Sequence, residues 1–393
     1  MCVLGVDLVA ASSDSPRPSL SVLSRVASAV LLLFVFLLGV KGLGDGFKLL
    51  GQDLIGGFFA ATEDPFVGLI VGLLATTLMQ SSSVTTSMIV GLVAAPENPL
   101  PLANAVPMIM GANIGTTVTA TIVSLAHMGR REEFERAFPV AICHDIFNYL
   151  SVLALLPIEI ATGFLRRTAT LMASSLEGIG GFEYESPLRA VLGAGFAPFT
   201  GFAESVIRTD GRQAVFLIGV SGLLIFFALY LLVRVMRKLM HTRVERIVNE
   251  VLGSSAALAI LVGIVMTVMV QSSSITTSVL VPLAAAGLLR LEQAFPITIG
   301  ANVGTTVTAF LAALGVAGPN ALVGLEIALV HLLFNVSGTL LIYPIKVIRR
   351  VPLAAARAIT RTAVVSRKMT VLVVAALFYG VPAVVLLVVQ LLP

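Results

Sequence analysis

The chain has 393 residues, 57% of them hydrophobic and only 12% charged, with a mean hydropathy of +1.01 and a formal net charge of +4. Soluble domains carry about 25% charged residues, so this composition excludes them and defines a polytopic helical membrane protein. A transmembrane barrel is excluded too, since it needs alternating segments of roughly ten residues and the apolar runs here are long and unbroken.

Residues 1–20 hold Asp7, Asp14, Pro16 and Pro18 and lack a charged start followed by an apolar centre, so no cleaved signal peptide is expected. Residues 1–24 read as a cytoplasmic N-terminal segment. A first spanning helix is centred on 27–40, preceded by Arg17 and Arg25. Asp45, Asp53, Glu63 and Asp64 outweigh the lysines in residues 41–65, which puts that segment outside by the positive-inside bias. Two apolar arms follow, 66–79 and 84–95. At about 1.5 Å per residue each reaches only about 20 Å, short of the roughly 30 Å hydrocarbon core, which predicts a re-entrant hairpin with serines at its tip.

Residues 104–127 are long enough to cross, but Gly111 and Gly115 bracket Asn113, and Thr116 and Thr117 follow, the pattern of a broken helix. Arg130, Arg131 and Arg136 put the next loop inside. Residues 137–160 cross back carrying His144, Asp145 and Asn148, completing a first transmembrane repeat over 25–175. The mixed stretch that follows predicts an amphipathic surface helix and then an extracellular linker, 176–211. Residues 214–233 cross inward to a cytoplasmic segment marked by Arg234, Arg237, Lys238, Arg243 and Arg246. The plan recurs in a second repeat, 212–368: hairpin arms 256–270 and 275–285, a broken helix 294–314, an uncharged outer loop and a span 321–343. Arg349, Arg350, Arg357, Arg361, Arg367 and Lys368 then form a basic interfacial segment, and 369–393 hold a C-terminal span.

Three blocks of sequence occur twice. Gln80, Ser81, Ser82, Ser83, Val84, Thr85, Thr86, Ser87 returns as Gln271, Ser272, Ser273, Ser274, Ile275, Thr276, Thr277, Ser278. The run from Gly111 to Thr119 returns as Gly300 to Thr308. His144, Phe147 and Asn148 return as His331, Phe334 and Asn335. Order and spacing both survive, which chance does not produce. Similar halves with opposite loop charge predict an all-α polytopic membrane protein of two inverted-topology repeats, each with a re-entrant helical hairpin and a broken helix. The binding site of such a fold lies near the midplane where the halves meet.

Hydrocarbon offers hydroxyl and amide groups no partners, so such groups at membrane depth cap backbone or line a wet cavity. A lone serine or threonine in a membrane helix usually bonds its own backbone or a neighbouring helix; duplication around helix breaks argues for a site. Hydroxyl, carboxamide and unwound carbonyl oxygens replace the water of a small cation, while hydroxyl hydrogens, amide hydrogens and helix N-terminal N–H groups suit an oxyanion. A site built of both holds a cation beside an anion. His144 and His331 read as structural groups satisfying carbonyls behind it. Asp145 and Glu326 are acids within apolar spans, where function is the default reading and a water-filled vestibule the alternative. Cys2 and Cys143 suggest neither a disulfide framework nor a transition-metal site.

The paired Gln-Ser-Ser-Ser hairpins, the paired Gly-Ala-Asn-x-Gly-Thr-Thr breaks, and the stretches 136–157 and 291–344 resemble the type II sodium/phosphate cotransporter family over roughly residues 25–175 and 212–345. The resemblance implies inward cotransport of sodium and inorganic phosphate, with Gln80, Ser81, Ser82, Ser83, Gln271, Ser272, Ser273 and Ser274 lining the site and Asn113, Thr116, Asn302, Thr305 and Thr308 beside them. Our division of that set gives phosphate Ser81, Ser82, Ser83, Ser272, Ser273, Ser274, Thr305 and Thr308. It gives sodium Gln80, Gln271, Asn113, Asn302, Thr116, Thr117 and Thr306. No organic cofactor and no catalytic residue is expected. The expected partners are inorganic phosphate, sodium and the lipid bilayer of the plasma (inner) membrane, with no nucleic acid and a homodimer left open. Against this stand a sodium-coupled carrier of sulfate or a carboxylate, an intramembrane serine hydrolase and a passive anion channel. The hydrolase fits poorly, since each half offers three equivalent serines where catalysis needs one activated nucleophile.

Overall fold

The computed structural model describes residues 20–49, 62–79, 81–177, 187–225, 255–316 and 320–384, with single positions between 227 and 235 and at 387. Every regular element among these residues is helical. The first half holds α1 (Leu20–Leu49), α2 (Pro65–Met79), α3 (Ser82–Val93), α4 (Leu102–Thr116), α5 (Val118–Leu125), α6 (Arg131–Thr162) and α7 (Phe164–Glu177). Next come α8 (Pro187–Val206) and α9, over residues 210–225. The second half holds α10 (Ala256–Val270), α11 (Ser273–Ala285), α12 (Leu291–Gly315), α13 (Ala321–Ile342), α14 (Lys346–Val365) and α15 (Arg367–Ala375), the last running into a π-helical turn, Ala376–Gly380. Among the described residues, Leu102–Leu125, Arg131–Thr162, Leu291–Gly315 and Ala321–Ile342 are long and apolar enough to cross a membrane. Large apolar side chains such as Leu78, Leu153 and Leu314 point outward with no protein cover, the surface that hydrocarbon wets in a membrane protein.

The serine blocks make their own helix starts. Ser81 is extended (φ −155°, ψ 104°), and its side chain accepts from the Val84 N–H at 3.3 Å; Ser272 does the same (φ −159°, ψ 110°) for Ile275, also at 3.3 Å. These are N-caps, which satisfy one of the four amides a helix start leaves unpaired. The links α2–α3 and α10–α11 are therefore only two residues long, and Ser82, Ser83, Ser273 and Ser274 sit in first helical turns. With 15, 12, 15 and 13 residues, α2, α3, α10 and α11 are each too short to span.

The expected breaks need correction. In the first half the interruption is a single residue, Thr117 (φ −77°, ψ −19°), four positions beyond Asn113. In the second half there is none: α12 runs unbroken through Gly300, Asn302 and Gly304. The glycines serve packing. A Cβ on Gly111 would fall on the Leu69 carbonyl of α2, and one on Gly72 on the Met108 carbonyl of α4. Gly300 faces Ile260 and Gly263 faces Ile297 in the same way. Each short helix α2 or α10 thus lies backbone to backbone on its long neighbour, as small residues permit between membrane helices.

The inner helix of each pair crosses to the other half. α3 packs on α12 and α13, while α11 packs on α6 and α5. One core, with Phe36, Ile89, Met110 and Phe334, lies around α3; a second, with Phe138, Leu280, Phe295 and Ala356, lies around α11 and α14. Within the expected linker, residues 187–206 form the helix α8. Leu192, Phe196 and Ala203 on α8 are buried, Phe196 lying where a Cβ on Gly42 of α1 would fall, because apolar positions at helical spacing dock against neighbouring helices. The Tyr149 hydroxyl donates to the Leu377 carbonyl and ties the π-helical turn to α6. Gln80, residues 1–19 and the basic residues Arg234, Arg237, Lys238, Arg243 and Arg246 lie outside the described residues.

Candidate functional site

The capped starts of α3 and α11 meet at one side chain. Thr308 of α12, 1% exposed, donates through Oγ1 to Gln271 Oε1 at 3.1 Å and accepts from Ser83 Oγ at 3.5 Å. Serine from one tip and glutamine from the other therefore share a threonine that neither pair owns. On the other side Ser274 Oγ donates to the Thr116 carbonyl of α4 at 3.5 Å. Both contacts join the inner helix of one half to the long helix of the other.

Gln271 is held in a left-handed conformation (φ 56°, ψ 30°), uncommon for a residue with a side chain, and its Nε2 donates to the Val268 carbonyl at 2.6 Å. This turns the glutamine oxygen toward Thr308. Outlier conformations of this kind cluster at functional sites, where surrounding structure holds them against a penalty of about 1–3 kcal/mol. The hydroxyls of Ser82 and Ser273, buried in the first turns, take no hydrogen bond among the described residues. Their backbone amides also belong to the first turn, whose N–H groups have no intrahelical acceptor.

Behind the tips lies a chain of amides. His144 Nε2 donates to Asn302 Oδ1 at 2.7 Å, Asn302 Nδ2 donates to Asn148 Oδ1 at 2.6 Å, and Asn148 Nδ2 donates to the Asn113 carbonyl at 2.8 Å. All four residues are at most 3% exposed. The equivalent chain of the second half is open: Asn113 Nδ2 turns back to Ile109 at 3.3 Å, Asn335 Nδ2 to the His331 carbonyl at 3.1 Å, and Asn335 Oδ1 has no partner among the described residues, while Nδ1 lacks one in both His144 and His331. The duplicated blocks are thus alike in sequence and unlike in bonding. Asp145, fully buried, accepts from Thr121 Oγ1 at 3.0 Å through Oδ2, while its Oδ1 has no partner among the described residues.

The expected site residues separate accordingly. Ser83, Ser274, Gln271, Thr308 and Thr116 meet at the joints; Asn302 and Asn113 form part of the chain behind. Thr116, Thr305 and Thr306 direct their hydroxyl protons to carbonyls of their own helix at 2.7–3.0 Å, and Thr117, at the interruption, donates to the Ile114 carbonyl of α4 at 2.9 Å, which leaves oxygen lone pairs to offer a ligand. Ser81 and Ser272 act as caps. The expected roles leave out Asn148, although it pairs with Asn335 in the third duplicated block; that duplication was the available signal. Thr121 carries no such signal, since its importance comes from meeting Asp145.

A helical membrane protein with uncharged hydroxyl and amide groups gathered where its halves interlock has the make-up of a carrier for small ions. The chain belongs to the Na+/Pi-cotransporter family, whose sequence model matches residues 35–182 and 224–384, each segment holding one copy of the three duplicated blocks. It is 32% identical over 462 residues to the sodium-dependent phosphate transport protein 2A of Rattus norvegicus, covering 97% of this chain and 71% of that protein. It is 31% identical over 441 residues to the sodium-dependent phosphate transport protein 2B of Homo sapiens, covering 89% of this chain and 63% of that protein. No solved structure matches it significantly. The family is one of transporters, which sets aside the serine hydrolase.

Proposed function

We propose that this protein takes up inorganic phosphate together with sodium by alternating access, in a multi-pass arrangement in the plasma membrane. The reading rests above all on the joint Ser83–Thr308–Gln271, which unites the two serine-rich tips. In this reading α2–α3 and α10–α11 are re-entrant hairpins of two inverted repeats, and the tips face each other near the bilayer midplane. The repeats occupy residues 25–175 and 212–368, followed by a C-terminal span.

Phosphate is bound by the two helix starts. First-turn amides and the hydroxyls of Ser82, Ser83, Ser273 and Ser274 donate to its oxygens, helped by the positive ends of two helix dipoles. Sodium takes neutral oxygens: the Gln271 and Gln80 carboxamides, Asn113 and Asn302, and the lone pairs of Thr116, Thr117 and Thr306. A cation beside the anion offsets the desolvation penalty of both, so each ion favours binding of the other, and reciprocity makes that coupling mutual. The joints between halves are long at 3.5 Å, Ser83 to Thr308 and Ser274 to Thr116. Such contacts are weak, so the halves separate at small expense when the site opens to one side.

Labelled phosphate uptake into sealed vesicles, with and without an inward sodium gradient, tests the reading. Uptake that follows the gradient, is inhibited by arsenate and is indifferent to sulfate is expected; gradient-independent uptake points instead to a passive channel, and inhibition by sulfate or a carboxylate to another oxyanion. Ser273→Ala and Gln271→Ala should each abolish gradient-driven uptake in protein that still folds, and undiminished uptake removes those residues from the site.

A further inference from the structure

A second polar region lies apart from the joints, around the amphipathic helix α14. A cavity of about 540 Å³ is lined by Lys346, Arg349, Arg350 and Arg357 of that helix, with Glu292 and Tyr343 at its edge and Phe295, Leu353 and Ala354 as an apolar wall. The lining positions of α14 recur at 346, 349, 350, 353, 354 and 357, one continuous helical face. Glu292 is the only carboxylate in the lining, and it already pairs with Arg357. Arg349 stacks its guanidinium over the Tyr343 ring at 5.0 Å, which holds it in place without neutralising it. Lys346, Arg349 and Arg350 have no carboxylate partner among the described residues. Three uncompensated cations around one cavity form an anion site, and the planar forks of two arginines suit a phosphate.

The rest of α14 points to what carries that phosphate. Pro352, Ala356, Thr360 and Ala363 are buried on one side of the helix, against the protein. Val347 and Val351 are exposed on another, 75% and 47%, with no protein cover. The basic face lies between the two. A helix with a basic stripe beside an exposed apolar stripe rests in the membrane interface, so the cavity opens at the boundary of headgroups and acyl chains. Its apolar wall matches that position, since a free anion needs no such wall. Basic pockets beside membrane helices on the cytoplasmic side are a recurring way of holding anionic headgroups.

We infer that this cavity binds a phosphate group, and that the group is the headgroup phosphate of an anionic lipid. This requires α14 at the membrane surface and is independent of which ions cross the joints. The test uses the full chain in nanodiscs of phosphatidylcholine, titrated with phosphatidylglycerol, alongside the variants Arg350→Gln and Arg349→Gln/Arg350→Gln. Lipid association is read by native mass spectrometry, and inorganic phosphate binding by equilibrium dialysis without sodium. Each removed cation should weaken phosphatidylglycerol binding roughly fivefold, and the pair roughly 25-fold. Inorganic phosphate binding lost in the variants, with phosphatidylglycerol binding unchanged, keeps the anion site and overturns its assignment to lipid. Wild-type affinity for both ligands in the variants overturns the site altogether. Arg350 is exposed, so its single variant carries the comparison even where the double variant assembles poorly. Sodium-driven uptake in pure phosphatidylcholine should be the same in the wild type and Arg350→Gln, separating a failure here from a failure of the transport reading.

Discussion

Asn302 and Asn113 occupy equivalent places in duplicated blocks, yet replacing each by leucine should have very different consequences. Asn302→Leu removes the acceptor of His144 Nε2 at 2.7 Å and the donor to Asn148 Oδ1 at 2.6 Å. Those partners are 1% and 0% exposed and cannot turn to water. A buried polar group left unpaired is destabilising by about 1–3 kcal/mol, so the two together amount to about 2–6 kcal/mol. Asn113→Leu loses only a 3.3 Å bond to the Ile109 carbonyl of its own helix, worth about 1 kcal/mol or less. The Asn113 carbonyl that accepts from Asn148 belongs to the backbone and survives the change. Any gain from burying the leucine side chain is similar at the two sites and leaves the difference standing. Unfolding in mixed micelles with increasing dodecyl sulfate measures both free energies. A loss at Asn113→Leu as large as that at Asn302→Leu, or a change below about 1 kcal/mol at Asn302→Leu, refutes the asymmetric network.

Thr308→Val keeps shape and removes the hydroxyl shared by Ser83 and Gln271. The loss of about 1–3 kcal/mol in the binding step should lower the phosphate uptake rate about 5- to 150-fold at limiting substrate, while Thr308→Ser stays close to the wild type. Gly72→Ala and Gly300→Ala drive a methyl into a facing carbonyl and should each destabilise by about 1–3 kcal/mol or more, whereas Gly201→Ala, with open space at that position, should change thermal stability by less than about 1 kcal/mol. Tyr149→Phe removes the bond to the Leu377 carbonyl; about 1 kcal/mol of local stability should go with it, seen as faster proteolysis near the π-helical turn with the remaining helices unaffected.

Much of this protein was legible in its sequence, because the information was local. Apolar runs too short to span marked α2, α3, α10 and α11, and a serine followed by a capped amide three residues on is a helix start wherever it stands. Duplication marked Asn302 with its counterpart Asn113, and Asn148 with Asn335, but not the bond that joins Asn302 to Asn148. Glycine was ambiguous: the same Gly-Ala-Asn-x-Gly block permits a break or a close helix crossing, and only a neighbouring helix's carbonyl standing where a Cβ would fall decides between them. That neighbour is distant in the chain, so periodicity carries no trace of it. The same holds for the network, since two blocks with nearly identical side chains have identical local preferences. Whether Asn302 joins His144 to Asn148 while Asn113 Nδ2 turns back to its own helix depends on how one half is seated against the other, a choice made by packing between residues more than a hundred positions apart. Sequence therefore determined which groups were available at membrane depth, and the tertiary fold decided which of them were joined.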